Sequence, residues 1–160
     1  MTDHGAAGLV ARTREDLAAA ATGNRFVEML EMGRLPRERL AWLAGEEHRI
    51  VSSDRRSFAL LAARYPDSSS GELFLGLAQG EGRALELLRE FAGVLGQSEK
   101  NLMAYEPKPL AQAYPAYLAQ RAAFGTASEV ALAMLANLEE WGAYCARVAG
   151  ALRTRYGFPD

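Results

Sequence analysis

The sequence predicts an all-α fold, a bundle of about six to seven helices that occupies residues 1–160 as a single domain. Residues that favour strands are scattered and never alternate with polar residues over the length of a strand. Apolar residues instead recur at spacings of three, four or seven along most of the chain, as on one face of a helix. Clusters of turn-forming residues divide these patterns into separate helices.

Three helices are expected in the first part of the chain. The first is an alanine-rich amphipathic stretch over about 8–21. Asn24 is a suitable N-cap for a short second helix over 25–32, which the turn at 33–36 ends. The third helix begins at Pro36 and extends to about residue 64. Its apolar stripe consists of Leu40, Leu43, Ile50, Val51, Phe58 and Leu61.

The turn-forming segment 65–71 separates these helices from the second part of the chain. Further helices are expected over about 72–96, with a break near Gly80 and Gly82, over 98–104, over 113–125, and from 126–129 to about 155. The segment Glu106-Pro107-Lys108-Pro109 predicts a rigid extended connector between these helices. Thr126 and Glu129 form a capping-box pattern at the start of the last helix.

The charge balance excludes several classes of function. The chain has 18 basic and 20 acidic residues, a formal net charge of −2, and no basic stripe of the kind that nucleic-acid binding requires. It has no polybasic cluster for a membrane surface, no signal-peptide pattern, and no apolar run near the ~20 residues of a membrane span. We therefore expect a cytoplasmic protein with no nucleic-acid partner and no membrane partner.

Cysteine and histidine are scarce, which limits redox and metal chemistry. The single cysteine, Cys145, permits no internal disulfide, and its sequence neighbourhood predicts a buried, inert thiol. His4 and His48 are the only histidines. A di-iron oxidase site needs histidine ligands as well as acids, so we expect neither a metal nor another cofactor.

Acidic residues lie in register with the apolar stripe of the third helix. Helical bundles build ligand sites from polar side chains that point inward from facing helices. Glu47 and Asp54 are in line with the stripe, while Glu46 borders it and Arg49 follows three residues later. Two interpretations stay open, because these charges either form a solvated, self-paired surface or line a pocket.

The last helix carries a second polar group, Asn137, on its apolar stripe. The other members of the stripe, expected to be buried, are Val130, Met134, Trp141, Val148 and Leu152. A buried amide needs hydrogen-bond partners, so Asn137 either bonds a neighbouring backbone or faces a ligand. Glu140 is placed to share the face of Asn137, and Glu139 points ~100° away from Glu140.

The order of several short motifs resembles the TenA (thiaminase II) family over about residues 24–145. The motifs are Asn24-Arg25-Phe26-Val27, Gly33-Arg34-Leu35-Pro36, Trp42-Leu43-Ala44-Gly45-Glu46-Glu47, Leu87-Leu88-Arg89-Glu90-Phe91, Pro107-Lys108-Pro109 and Ala113-Tyr114-Pro115-Ala116-Tyr117-Leu118, followed by Gly125 and Glu129. This resemblance implies a haem-oxygenase-like helical bundle with an enclosed pocket for an aminopyrimidine.

The resemblance also implies roles for individual residues. The family's catalytic aspartate falls on Glu46, and its substrate-stacking tyrosine is retained as Tyr114. The cysteine nucleophile falls on Asn137, whose amide does not form the covalent intermediate of a thiolate. A cysteine-free branch is thought to use a glutamate pair. On this basis the catalytic candidates are Glu46, Glu139 and Glu140, and the substrate-binding candidates are Glu47, Arg49, Tyr114, Asn137 and Trp141.

Two functions stay open from the sequence. One is a carboxylate-dependent hydrolase, related to thiaminase II and thiamin salvage, that acts on an aminopyrimidine or a related small amine without a cysteine. The other is a non-catalytic protein on the same fold, with a refitted ligand pocket or an accessory structural role. The family's chain continues through further helices, so an open apolar groove covered by a homodimer is expected for this chain.

Overall fold

The computed structural model describes residues 5–20 and 23–158. Within those residues the chain forms seven α-helices and one 3₁₀ turn and contains no strand. The helices are α1 (Ala6–Ala20), α2 (Arg25–Glu31), α3 (Arg37–Arg64), α4 (Ser69–Val94), α5 (Glu99–Ala104), α6 (Ala113–Phe124) and α7 (Ala127–Tyr156), and the 3₁₀ turn is Pro109–Gln112. The predicted all-α class is confirmed. No helix in the described ranges is both long and apolar enough to cross a membrane.

Local capping explains where two of the helices begin. The Asn24 side chain accepts hydrogen bonds from the backbone N–H groups of Phe26 and Val27, at 3.1 and 3.3 Å, and thereby caps α2. At α7 the Thr126 N–H donates to Glu129 Oε2 at 2.7 Å, and the Glu129 N–H donates to Thr126 Oγ1 at 3.3 Å. Both caps were predicted from the sequence, and both are confirmed.

α4 departs from its predicted course. It begins at Ser69, because the Ser68 hydroxyl accepts a hydrogen bond from the Gly71 N–H at 3.1 Å and caps the helix there. It also continues without a break past Gly80 and Gly82, where an interruption was expected. Glycine in a helix costs ~1 kcal/mol relative to alanine, and the packing of α4 along α3 outweighs that cost. The connector predicted over 106–109 is extended at Lys108, with φ −70° and ψ 147°, and its last residue, Pro109, begins a 3₁₀ turn over Pro109–Gln112.

Contacts between residues group the chain into two compact units. One covers 36–130, and the other is formed by 1–35 with 131–160. In the 36–130 unit, α3 packs against both α4 and α6. The largest residues in the apolar core of this unit include Leu40, Phe58, Leu61, Phe74, Leu85 and Leu118, all buried. This arrangement makes α3 the helix from which a site within the unit is built.

The other unit is held together by contacts of α2 and the turn after it with the end of α7. The Tyr156 hydroxyl bonds both the N–H and the C=O of Leu35, each at 3.0 Å. Arg147 donates two hydrogen bonds, at 2.8 and 2.7 Å, to the two carboxylate oxygens of Glu31. Gly33 has a φ of +66°, which a side chain would disfavour, and this permits the turn between α2 and Leu35.

Two expectations for α7 are wrong. Cys145 is exposed rather than buried, and Trp141 keeps 38% of its surface exposed. Among the side chains of this helix that the structure describes, the buried ones lie towards its ends, at Val130, Met134 and Ala151. The apolar stripe is therefore not buried along its whole length, and Cys145 lies outside its buried part.

Candidate ligand-binding site

Three carboxyl groups from α3 and α4, one buried and two partly buried, form an acidic group in the 36–130 unit. They belong to Glu47 and Asp54 on α3 and to Glu81 on α4, and each acts electrostatically on one of the others. Glu47 and Asp54 are seven residues apart, about two helical turns, so α3 presents them on the same face. The group therefore lies where α4 packs along α3.

Asp54 is the most buried member of the acidic group, with 6% of its surface exposed. The Tyr114 hydroxyl on α6 donates a hydrogen bond to its carboxylate. Among the described residues, the Asp54 Oδ1 atom has no hydrogen-bond partner. A buried acceptor without a donor costs about 1–3 kcal/mol, so Asp54 retains capacity for one more N–H or O–H donor.

Burial and mutual repulsion raise the pKa values of carboxyls in the acidic group. Burial, followed by the charges of Asp54, Glu46 and Glu81, raises the pKa of Glu47 from 4.5 to about 7. Burial and the charge of Glu81 raise the pKa of Asp54 from 3.8 to about 7, although the bond from Tyr114 opposes this shift. Burial also raises the pKa of Glu81. Near neutral pH Glu47 and Asp54 are therefore suited both to donate and to accept protons.

Tyr114 is strongly affected by the same charges. Burial, the charge of Asp54 and the hydrogen bond to it raise the pKa of the Tyr114 phenol far above its ordinary value. The phenol therefore stays protonated and acts as a hydrogen-bond donor. This bond orients the Tyr114 ring next to the acidic group.

Glu46, the neighbour of Glu47, belongs to a separate network. Its carboxylate accepts hydrogen bonds from the Tyr105 hydroxyl at 2.8 Å, the Lys108 backbone N–H at 3.0 Å and the Lys108 ammonium at 3.3 Å. The Lys108 ammonium also donates to the Tyr105 hydroxyl at 2.8 Å and lies 4.1 Å from the centroid of the Trp42 ring. These contacts attach the connector after α5 to α3.

Gly45 and Arg49, which lie near Glu46 on α3, also help to hold the connector against α3. Gly45 provides the space for the Tyr105 ring, because a Cβ at Gly45 would lie 2.5 Å from that ring. The Arg49 guanidinium donates to the carbonyl of Met103 at 2.6 Å and to that of Tyr105 at 2.9 Å. The polar groups of Glu46 and Arg49 are thus engaged in holding the connector.

A cavity of about 240 Å³ lies beside this network, between α3 and α6. Its lining residues are Glu46, Arg49, Ile50, Ser53, Pro107, Ala111, Gln112, Pro115, Ala116 and Ala119. The residues that line a second, more open hollow of about 520 Å³ include Trp42 and Tyr105. In the described part of the chain, no three His, Cys, Asp or Glu side chains are arranged to hold a metal ion.

Comparison with known families places these features in context. Residues 18–158 match the model of the TENA/THI-4/PQQC family. The chain belongs to this family. The haem-oxygenase-like helical fold that the resemblance implied is therefore the fold of the chain. Neither the curated proteins nor the solved structures contained a match.

The candidate residues of this TENA-family chain fall into distinct groups. The charge of Asp54 acts on Glu47, and Asp54 also accepts the hydrogen bond of Tyr114. Glu46 and Arg49, in contrast, belong to the connector network. On α7, in the other unit, Asn137 is partly buried, and Glu140 and Trp141 are exposed. The Glu140 side chain bonds Tyr144, and burial is the largest cause that raises the pKa of that phenol. The Glu139 side chain lies outside the described residues.

Two members of the acidic group were not selected as site residues from the sequence. Asp54 was recognised as a polar residue on the stripe, and its spacing of seven from Glu47 was the signal for a shared site. Glu81 stands between Gly80 and Gly82, which predicted a break in the helix rather than a buried acid. Since α4 passes through those glycines without a break, Glu81 is held against α3.

Proposed function

We propose that this TENA-family protein binds a small nitrogen-containing molecule, an aminopyrimidine or a related amine, at the acidic group of α3 and α4. The observation that carries the proposal is the hydrogen bond from Tyr114 to Asp54. It joins a tyrosine that the family resemblance assigns to substrate stacking to the buried carboxyl of Asp54, whose charge acts on Glu47. A site of this kind combines an aromatic face with groups that recognise N–H donors and ring nitrogens.

Carboxyl groups with a pKa near neutrality suit this ligand chemistry. A protonated Glu47 donates a hydrogen bond to a ring nitrogen, and an ionised Asp54 accepts one from an amino group. Such pairs of acid and base recognise the edge of an aminopyrimidine, which carries a donor beside an acceptor. Water competes poorly at Asp54 because its carboxylate is buried.

The reaction that fits best is hydrolysis of a carbon–nitrogen bond without a covalent enzyme intermediate. An ionised carboxylate of the acidic group takes a proton from water, the water oxygen bonds the carbon, the carbon–nitrogen bond breaks, and the amine leaves with the proton that the protonated Glu47 supplies. Cys145 is exposed on α7, eight residues after Asn137, and has no part in this scheme. The proposed chemistry therefore depends on carboxyl groups alone.

Binding and turnover are tested separately on the full chain. Thermal shift and isothermal titration with the hydroxymethyl and aminomethyl aminopyrimidines of thiamin breakdown measure binding, and ammonia release from the aminomethyl compound measures turnover. We expect binding that Glu47→Gln and Tyr114→Phe weaken by about tenfold or more. Tyr117→Phe, on the same helix and half exposed, is the matched control that leaves binding unchanged. Absence of binding to the folded chain would refute the proposed function.

Self-association is a second candidate role, favoured by the outer surface of α4. Leu73, Leu87 and Val94 expose 53%, 64% and 52% of their surfaces. Their spacing of 14 and 7 residues places all three within ~60° around the helix axis. We propose that this stripe contacts a second copy of the chain, because contiguous exposed apolar surface commonly marks an interface.

A further inference from the structure

The cavity of about 240 Å³ between α3 and α6 has one polar wall and one apolar wall. The polar wall belongs to α3, where Glu46, Arg49 and Ser53 follow one another at spacings of three and four and so share one helix face. The opposite wall belongs to α6, and its side chains are small and apolar, namely Pro115, Ala116 and Ala119. Among the described residues that line the cavity, none belongs to the acidic group, so this is a separate place on the molecule.

Arg49 brings a positive charge to the cavity together with unused donors. Within the described residues, its hydrogen bonds go through Nε and Nη2 to the carbonyl oxygens of Met103 and Tyr105. The other terminal nitrogen, Nη1, carries two N–H donors and has no partner in that part of the chain. The carbonyls hold the guanidinium in place without neutralising it, so Arg49 retains its attraction for an anion.

The negative charge of Glu46 does not cancel that of Arg49, because it is already paired. The Glu46 carboxylate accepts hydrogen bonds from the Tyr105 hydroxyl at 2.8 Å and the Lys108 ammonium at 3.3 Å. Only 14% of the Glu46 side chain remains exposed. Since the charges of Glu46 and Lys108 offset each other, Arg49 gives the polar wall a net positive charge.

Ser53 adds a second donor beside Arg49. It lies four residues further along α3 on the cavity wall, and its hydroxyl has no hydrogen-bond partner among the described residues. A carboxylate in the cavity therefore has access to charged N–H donors from Arg49 and to an O–H donor from Ser53. Hydrogen bonds to an ionised acceptor are stronger than those between neutral groups, so this pair of residues favours a carboxylate over an amide.

We propose that this cavity is a binding site for a short aliphatic monocarboxylate. Arg49 and Ser53 bind the carboxylate, and the small apolar side chains of α6 contact the aliphatic part of the ligand. The volume lies just below the ~300–1,000 Å³ of pockets for drug-sized molecules, so the ligand is smaller than those. A second anionic group on the ligand would lie against the apolar wall without a partner, which disfavours dicarboxylates and phosphates.

The experiment is a titration of the full, ¹⁵N-labelled chain at pH 7 and constant ionic strength, followed by two-dimensional NMR. The probes are isobutyrate, the neutral amide isobutyramide, which has the same shape, and sulfate. We expect isobutyrate to cause saturable shifts of backbone amides around the cavity. Its affinity is expected to exceed those of isobutyramide and sulfate by about tenfold or more.

Three variants test the residues that the proposal assigns. Arg49→Gln is expected to weaken isobutyrate binding by about tenfold or more, and Ser53→Ala by about threefold or more. Ala116→Leu is expected to abolish binding, because the larger side chain occupies the cavity that Ala116 lines. Arg56→Gln removes an exposed arginine from the same helix and is the matched control, with an expected change within about twofold.

Several results would overturn the proposal. These are equal affinities for isobutyrate and isobutyramide, the absence of saturable shifts, or sulfate binding as tight as that of isobutyrate, which would mean recognition of charge alone. A loss in Arg56→Gln as large as that in Arg49→Gln would assign the binding to general surface charge. Circular dichroism establishes that each variant is folded. Because Arg49 also holds the connector, Ser53→Ala and Ala116→Leu decide if Arg49→Gln fails to fold, and wild-type affinity in both would contradict the site.

Discussion

The Tyr114 hydroxyl donates a hydrogen bond to the Asp54 carboxylate and thereby joins α6 to α3. Asp54 is almost fully buried, and its other oxygen, Oδ1, has no partner among the described residues. The bond thus fixes the Asp54 carboxylate, whose Oδ1 atom still lacks a donor.

Tyr114→Phe is expected to lower the free energy of unfolding by about 1–3 kcal/mol, because it removes the donor to a buried carboxylate. Urea denaturation followed by circular dichroism measures the change. The control is Tyr117→Phe on the same helix, whose tyrosine is 51% exposed, with an expected change below about 0.5 kcal/mol. Equal effects of the two substitutions would show that the bond to Asp54 contributes nothing.

The free energy of unfolding is expected to fall as pH rises from about 4.5 to about 7. Glu47 and Asp54 have pKa values of about 7 in the folded chain, above their ordinary values of 4.5 and 3.8. Between those limits the folded chain binds more protons than the unfolded chain, so stability decreases with pH and levels off above about pH 7.

The Asp54→Asn variant isolates the contribution of Asp54 to this dependence of stability on pH. The variant removes one titrating group, so its decrease in stability between about pH 5 and pH 8 is expected to be smaller than that of the wild type by about 1–2 kcal/mol. Urea denaturation across this pH range provides the measurement, and Glu86→Gln, at an exposed position, is the control. Parallel pH profiles for the wild type and Asp54→Asn would contradict the raised pKa of Asp54.

Gly45→Ala is expected to destabilise the protein by about 1–3 kcal/mol, because the added Cβ would lie 2.5 Å from the Tyr105 ring. Displacing Tyr105 also breaks its hydrogen bond to Glu46. Gly76→Ala in α4 is the matched control, since nothing lies within 4 Å of its added Cβ. That substitution is expected to stabilise the helix by about 0.5–1 kcal/mol. Thermal melts of both variants give the comparison, and a neutral Gly45→Ala would mean that the connector adapts.

Glu47→Gln is expected to weaken binding of the aminomethyl aminopyrimidine by about tenfold, whereas Glu46→Gln leaves it within about twofold. The reason is that Glu47 belongs to the acidic group, while Glu46 is bonded to Tyr105 and Lys108. Lys108 is half exposed, so losing its ion pair with Glu46 costs less than about 1 kcal/mol of stability. Isothermal titration measures the ligand affinity of both variants. A larger loss of affinity in Glu46→Gln than in Glu47→Gln would mean that Glu46 is the principal ligand-binding carboxyl.

Leu87→Glu is expected to shift the protein to a monomer, because it places a charge on the exposed apolar stripe of α4. Size-exclusion chromatography with light scattering at tens of micromolar measures the state of the wild type and the variant. Leu75→Glu changes a similarly exposed leucine on another face of the same helix and serves as control. A monomeric wild type would contradict the proposed interface.

The helices were predictable because their determinants are local. The Asn24 cap and the Thr126–Glu129 box involve residues within three positions of each other, and both formed as expected. The uninterrupted course of α4 was not predictable, because its glycines oppose a helix that packing against α3 stabilises. Periodicity did not predict the exposure of Cys145 and Trp141 either. It identifies the apolar face of a helix, but not which parts of that face other helices cover.

By itself, the sequence determined the all-α class, most helix boundaries and the family resemblance, since each depends on spacing and motif order along the chain. It placed Glu46 and Glu47 side by side without distinguishing them. Only the tertiary structure decided that Glu46 bonds Tyr105 while Glu47 joins Asp54 and Glu81. Adjacent residues of a helix point ~100° apart, so helices far away in sequence determine the electrostatic environment of each carboxyl.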